Sequence, residues 1–400
     1  MQIDFHYYAT YSAAVLAGYT HEESQIIAYS AQFVDCCSRT FLKMVGAPLS
    51  AATTQLQLEL MDARTDPVGL QDITRIWSSF HFLPGDLKRT RKHASKAYIR
   101  KMRLVCDTNG ELLKETVGLA MGRGLEAAGL AMHVLADTWA HRYFAGTPSL
   151  VINNTNHYFY EIYPDEQGVL RERPVKFNNN PASTDVPEEG YYTNSLFQWD
   201  ESSIMNLGHG RAGHLPDYSF ARYKYLPAWG EYREILKDNP HDFYHAYCQM
   251  IYALECIREE KEFALDTYAF KKVAPYGNEI MEIILKRRLD ASADWKAFGE
   301  KLSGQEIEDF DVSKYQQEYM DAGNEHDETF LGKFVIAAMR QKSMVTNRIY
   351  KSGSLLAGYS IDFDLKNFTG IKDLKGIGDF MHLVEDRLKG VKDDEEKKNH

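Results

Sequence analysis

Along the chain, hydrophobic and polar positions fall into helical periods first and into irregular stretches later. Residues 6–18 and 21–37 are rich in Ala and aromatic residues, with an interruption at Gly18 and a restart at Thr20-x-x-Glu23. A capping box of that form satisfies the free N–H groups at the start of a helix, so the pattern predicts two buried helices. A polar stretch ends at Asp66-Pro67. The segment from Thr74 to Phe82 then runs into Leu83-Pro84-Gly85-Asp86, where Pro and Gly enforce a turn. The strongest helical signal covers 110–144, in two pieces joined near Gly122-Arg123-Gly124. Its second half, LEAAGLAMHVLADTWAHRYF, is almost continuously apolar with polar residues at a few regular positions, the pattern of a buried central helix.

From 145 to 230 the character changes to Asn, Pro, Gly and Tyr, which predicts long loops with short strands. HYFYEIY, PDEQG and VLRERPVKF read as a small hairpin around a turn. Helical periodicity resumes at about 241–270, 279–289 and 327–350, followed by a final helix at about 376–389 and a charged tail, DDEEKKNH. No internal repeat is visible. The expected fold is mainly α: a multi-helix bundle over residues 1–290 with an irregular loop and short-hairpin insertion at about 145–230, then a C-terminal helical extension over 291–400.

Composition narrows the class. With 44% hydrophobic and 26% charged residues among 400, the chain is neither disordered, collagenous nor a membrane bundle. A net charge of −11 argues against a whole-surface nucleic-acid binder, so nucleic acid is not the favoured partner. The N-terminal segment carries Asp4 and no basic residue before Arg39, unlike a secretory signal, and no apolar run approaches the ~20 residues that span a bilayer. Five Cys without any C-x-x-C suit neither a disulfide framework nor a thiolate zinc site. These features together read as cytoplasmic. The 14 His are the less ordinary count, because imidazole is the commonest metal ligand.

His133, Asp137 and His141 are spaced i, i+4, i+8, so on a helix they lie at roughly 0°, 40° and 80° around the axis, in one stripe. About 6 Å of rise separates neighbours and about 12 Å the outer pair, so one ion cannot be shared by all three. A carboxylate between two imidazoles can serve metals on either side, which favours a multinuclear site. The bland alternative is three satisfied polar residues on a helix face, but burying three ionisable groups in so apolar a stretch without ligands would be costly. His6 opens the first helix, Asp35 lies near the end of the second, and His81 precedes the Pro-Gly turn. Taken singly, each reads as an ordinary satisfied polar residue. His209, His214 and Asp217 fall within nine positions of a Gly-rich loop whose backbone freedom lets them converge. His157-x-x-x-Glu161 has helical ligand spacing too, yet its surroundings read as strand, where residues four apart are ~13 Å apart; the pair stays in reserve. His241-Asp242 suggests an HD-type phosphohydrolase, although those enzymes need further ligands. Lys88, Arg89, Arg91, Lys92, Lys96, Arg100, Lys101 and Arg103 form a basic run without an acidic residue, either a solvated helix face or an anion-attracting stretch. Tyr191, Tyr192 and Trp199 are aromatic residues in loops, as suited to packing as to stacking on a ligand.

His6, Asp35, Ser79-Phe80-His81-Phe82 and His133-x-x-x-Asp137 resemble, in order and residue type, the zinc-dependent phospholipase C and P1/S1 nuclease family. The chain resembles more closely an uncharacterised prokaryotic family with an FHYY start and HF-x-PGD, DTWAH and GH-x-x-AGH-x-PD patterns, over about the first 230 residues. The first resemblance implies an all-helical fold with three zinc ions that activate water against a phosphoester. It would place Asp35, His81, His133 and Asp137 at one metal, with Asp137 bridging to a second completed by His6 and the chain's N-terminus. That family uses an N-terminal Trp there; here Met1 or Asp4 would stand in. The last site falls to His141 with His209, His214 or Asp217. All these donors are N and O, which suit two or three zinc ions and also iron or manganese. Asp35 would double as the base that orients the nucleophile. The expected function is a zinc-dependent phosphoesterase acting on a small phosphoester or lipid-like substrate. The competing readings are a non-catalytic metal-stabilised helical scaffold and the HD-type enzyme. Two or three divalent cations would offset four to six units of the −11 at one place.

Overall fold

The computed structural model describes residues 1–63, 65–155, 158–178, 180, 183–194, 207–358 and 360. The predicted helix at 376–389 and the charged tail lie outside them, as do His157 and Trp199. The described chain is mainly helical with a few strands. A π-helical turn, Asp4–Ala9, runs directly into α1 (Thr10–Leu16), and α2 (His21–Phe33) and α3 (Arg39–Val45) follow. Next come α4 (Gln57–Ala63), α5 (Pro67–Phe80), α6 (Lys96–Met102), α7 (Glu111–Ala120), α8 (Leu125–Ala140) and α9 (Leu150–Asn153). The strands are β1 (Phe159–Pro164), β2 (Leu170–Pro174), β3 (Lys176–Asn178), β4 (Tyr191–Thr193), β5 (Arg222–Tyr225) and β6 (Ile235–Asp238). Then α10 (Asn239–Arg258), α11 (Phe270–Val273), α12 (Gly277–Leu285), α13 (Ser292–Ser303), α14 (Gln316–Asp321) and α15 (Phe330–Lys351) complete the described chain.

Local signals in the sequence produce the helix starts. At α2 the Glu23 amide donates to Thr20 Oγ1 and the Thr20 amide to Glu23 Oε2, the reciprocal capping box. Asp66 caps α5 by accepting from the amides of Val68 and Gly69, with Pro67 in the first turn. The long apolar signal divides into α7 and α8, as its Gly-Arg-Gly joint predicts. Every residue of α8 from Glu126 to Ala140 is buried, because α2, α5, α7, α10 and α15 surround it. Gly129 permits a close crossing: a Cβ there would lie 2.2 Å from the Ile27 carbonyl oxygen of α2.

Two departures from the periodicity stand out. Helix α10 ends at Arg258 rather than near 270, and the chain then folds back, with Glu260 and Asp266 at positive φ and Phe263 buried in the core. The expected hairpin, β1 against β2 with Tyr160 opposite Pro174, is half of a four-stranded antiparallel sheet ordered β2-β1-β5-β6. Strands β5 and β6 carry too few residues for a clear period-2 signal. The main core gathers side chains from Phe5 through Trp295 and Phe298 of α13 to Phe334 and Val345 of α15. A smaller second core under the sheet includes Phe82, Phe144, Phe159, Leu215, Tyr223 and Tyr225. Among the described residues no helix is long and apolar enough to cross a membrane.

Candidate metal centre

The seam between the two cores holds the stripe that the sequence singled out. His133 and Asp137 point from the last turns of α8 and His141 caps its end, all three buried. The π-helical turn brings His6 flat against His133, with ring centroids 3.8 Å apart. Asp35 follows α2, and His81 caps the end of α5 with Trp77 of the preceding turn packed on its ring at 4.9 Å. The Gly-rich loop delivers His209 and Asp217. Its Gly213 has φ +58°, and a Cβ there would stand 1.9 Å from the Thr193 carbonyl oxygen, so only glycine fits this turn.

Asp137 is the hub. Its Oδ1 lies 2.8 Å from the Met1 α-amine and 3.2 Å from His6 Nε2. Its Oδ2 lies 3.2 Å from His133 Nε2, 3.3 Å from His81 Nδ1 and 3.5 Å from His141 Nδ1. Three groups of donor atoms result, each within 4.8 Å of one another: His6, His133 and Asp137; Asp35, His81 and His133; and His141, His209 and Asp217. Asp217 Oδ1 is 3.0 Å from His141 Nε2 and 3.3 Å from the Met1 amine. The structure therefore brings together eight of the nine proposed ligands. His214 is the exception: it stays at the rim with its side chain 55% exposed, its Nδ1 3.3 Å from Asp217 Oδ2. Met1, not Asp4, faces the hub; Asp4 instead accepts from the Phe5 and Ala291 amides.

The hydrogen bonds fix the ring tautomers. His133 Nδ1 donates to the Ala31 carbonyl at 2.9 Å, His141 Nδ1 to that of His81 at 2.7 Å, His81 Nε2 to that of Thr53 at 3.0 Å and His209 Nδ1 to that of Gly213 at 2.7 Å. A carbonyl can only accept, so in each neutral ring the second nitrogen is a lone pair facing inward. There it meets carboxylate oxygens or another lone pair, as between His133 Nε2 and His81 Nδ1 at 3.3 Å. Among the described residues buried His6 has no well-angled hydrogen-bond partner at either ring nitrogen, although its Nε2 lies 3.2 Å from Asp137 Oδ1. Only added cations, as protons or metal ions, relieve such a set. Burial disfavours the protons at His6 and His209, lowering each to about 4. Burial pushes Asp137 and Asp217 up, yet the imidazoles and the Met1 amine outweigh it and hold both well below the usual carboxylate range. Burial likewise lowers the Met1 amine, but Asp137, Asp217 and Asp35 raise it to about 11. The donor set, with carbonyl acceptors orienting His81, His133, His141 and His209 from behind, fits divalent metal.

The other candidates go elsewhere. Glu161, on a strand as expected, is fully buried and bound by Arg173, Arg287 and the Tyr192 hydroxyl. Asp242 is held by Lys237 at 2.5 Å, and Lys237 also donates to the Trp139 carbonyl at the end of α8. Of the basic run, Arg89 pairs with Asp107, Arg91 with Glu231, and Arg103 donates to the Arg89 and Ser352 carbonyls. Tyr192 is a core residue and Tyr191 a half-exposed strand residue. Sequence reasoning did not foresee the carbonyls of Ala31, His81, Thr53 and Gly213 that orient the imidazoles, since a backbone group has no signature in composition. Trp77 and Phe82, which pack on His81 and His141, did carry a signal, their spacing of i−4 and i+1 from His81.

No curated protein and no solved structure matches the chain. Residues 1–349 match a family of unknown function (DUF6765), and the chain belongs to that family.

Proposed function

We propose that this protein is a metal-dependent hydrolase of phosphoesters that holds two or three zinc ions, with iron or manganese compatible with the same donors. One observation carries the reading: both oxygens of Asp137 are shared among imidazoles from three separate parts of the chain, which suits several neighbouring ions better than one. Asp35, His81, His133 and Asp137 would hold one ion, His6 with the shared Asp137 a second, and His141, His209 and Asp217 a third. Bound there, such ions lower the pKa of water toward about 7 and offset negative charge on a phosphoryl oxygen. Asp35, at 33% exposure far more open than Asp137 beside it, stands on the solvent side and takes the proton of the attacking water. The carbonyls behind His81, His133, His141 and His209 keep these four rings in their ligating tautomers. The substrate is a small phosphoester or a lipid-like one.

Burial of the other donors favours one competing reading, a metal-stabilised scaffold without turnover. Metal analysis of protein purified without added metal comes first, and less than about one equivalent of transition metal per chain would sink both readings. Phosphodiester and phosphomonoester substrates then divide them. Turnover that disappears on chelation and returns with added zinc supports the hydrolase. Metal-replete protein inert on every substrate, with only Tm falling on chelation, supports the scaffold.

A further inference from the structure

The His241-Asp242 motif has a different use from the one its spelling suggests. His241 and His245 lie one turn apart near the start of α10, their rings stacked with centroids 3.9 Å apart and planes at 30°. His245 Nδ1 donates to the His241 carbonyl at 2.9 Å. His241 Nδ1 donates to Asp242 Oδ1 at 3.4 Å, and that carboxylate is itself anchored by Lys237. Trp139, Tyr268 and Phe270 pack around His245 at centroid distances of 5.7, 5.4 and 5.3 Å and restrict its rotamers. Both rings thus commit Nδ1 to an acceptor and keep the Nε2 lone pair, the arrangement also found at His133, His141 and His209. Here the pair opens to solvent, with His241 57% exposed.

We propose that His241 and His245 form a second, surface transition-metal site that is independent of the buried centre. Its two neutral imidazoles take copper(II) most strongly and nickel(II) or zinc less so, with water at the remaining positions. Oxygen-seeking magnesium and calcium are not held. Asp242 acts as a positioning residue behind His241 rather than as a ligand, because Lys237 and burial occupy it. No residue is shared with the three buried donor groups.

The test uses the full chain loaded with zinc, to which copper(II) is added while bound zinc is counted and the copper spectrum is recorded for nitrogen ligands. Wild type is expected to take up about one copper per chain with two-nitrogen ligation and no loss of zinc. His241→Ala, at an exposed position, and His245→Gln should each weaken copper binding about tenfold or more while zinc content and Tm hold. The same copper uptake in the double variant, or copper entering only as zinc leaves, overturns the proposal. Failure of the buried centre shows separately, as zinc that cannot be loaded at all.

Discussion

Two buried clusters in this molecule contain the same kinds of charge and resolve them in opposite ways. Around Glu161, both oxygens meet donors from the chain's own residues: Arg173, Arg287 and the Tyr192 hydroxyl. Around Asp137, three carboxylates are opposed by one ammonium, and the surrounding imidazoles turn lone pairs inward. In the first cluster both carboxylate oxygens are paired, and the excess positive charge sits on guanidinium groups that reach solvent. The second leaves two net negative charges with neutral histidines, in a medium where unmatched charge is costly. A buried acidic residue is therefore no guide to a metal by itself. The guide is which way the hydrogen-bond donors of its neighbours point.

The contrast is sharpest when each hub is neutralised. Asp137→Asn is expected to lose most bound metal and the stability that metal binding lends the fold, while the Met1 amine keeps Asp217 at 3.3 Å. Metal content and denaturant unfolding check this, and a variant with full metal content breaks the comparison. Glu161→Gln should cost about 1–3 kcal/mol by leaving the half-buried Arg173 and Arg287 without a counter-charge, yet change metal content not at all. Loss of metal in that variant would mean that the two clusters are one system.

Acid probes the imidazoles directly. In chelated protein His6 and His209 stay neutral down to about 4 because they are buried, whereas the unfolded chain protonates them near 6.5. The unfolded state then binds more protons across that window, so stability is full above it and falls as pH drops toward 4. Asp4, raised to about 6 by burial, works the other way, since its folded carboxyl keeps its proton to higher pH than the unfolded one. His214, raised by its bond to Asp217, and Glu126, raised by burial, side with Asp4, and His245, lowered by burial, sides with the imidazoles; the two large shifts at His6 and His209 leave a net loss. Tm of the chelated protein should therefore fall between pH 7 and pH 5, and an unchanged Tm would contradict neutral buried rings. The smallest effect belongs to His214→Ala: metal retained and stability altered by less than about 1 kcal/mol, because an exposed imidazole gains little from Asp217.

Much of the helical framework and the heart of the centre was legible in the sequence. The capping box at Thr20, the division of the long apolar stretch at Gly122-Arg123-Gly124 and the His133/Asp137/His141 stripe all follow from rules acting within a few residues. The β1–β2 hairpin followed for the same reason, its turn residues being contiguous. The end of α10 at Arg258 did not, because the reversal depends on Phe263 reaching the core. Nor could local spacing choose between His209 and His214, which differ only in which one the Gly213 turn sends inward.

The sequence by itself determined that three ionisable groups line one face of an apolar helix, since 3.6-residue periodicity is a property of the backbone. It also determined which residue types were available to join them. Tertiary structure alone decided that His6, Asp35, His81, His209 and Asp217 converge on that face, and that His241 lies outside it with His245. It alone set which nitrogen of His81, His133 and His141 points inward, because each tautomer is chosen by a carbonyl that packing delivers from a distant part of the chain.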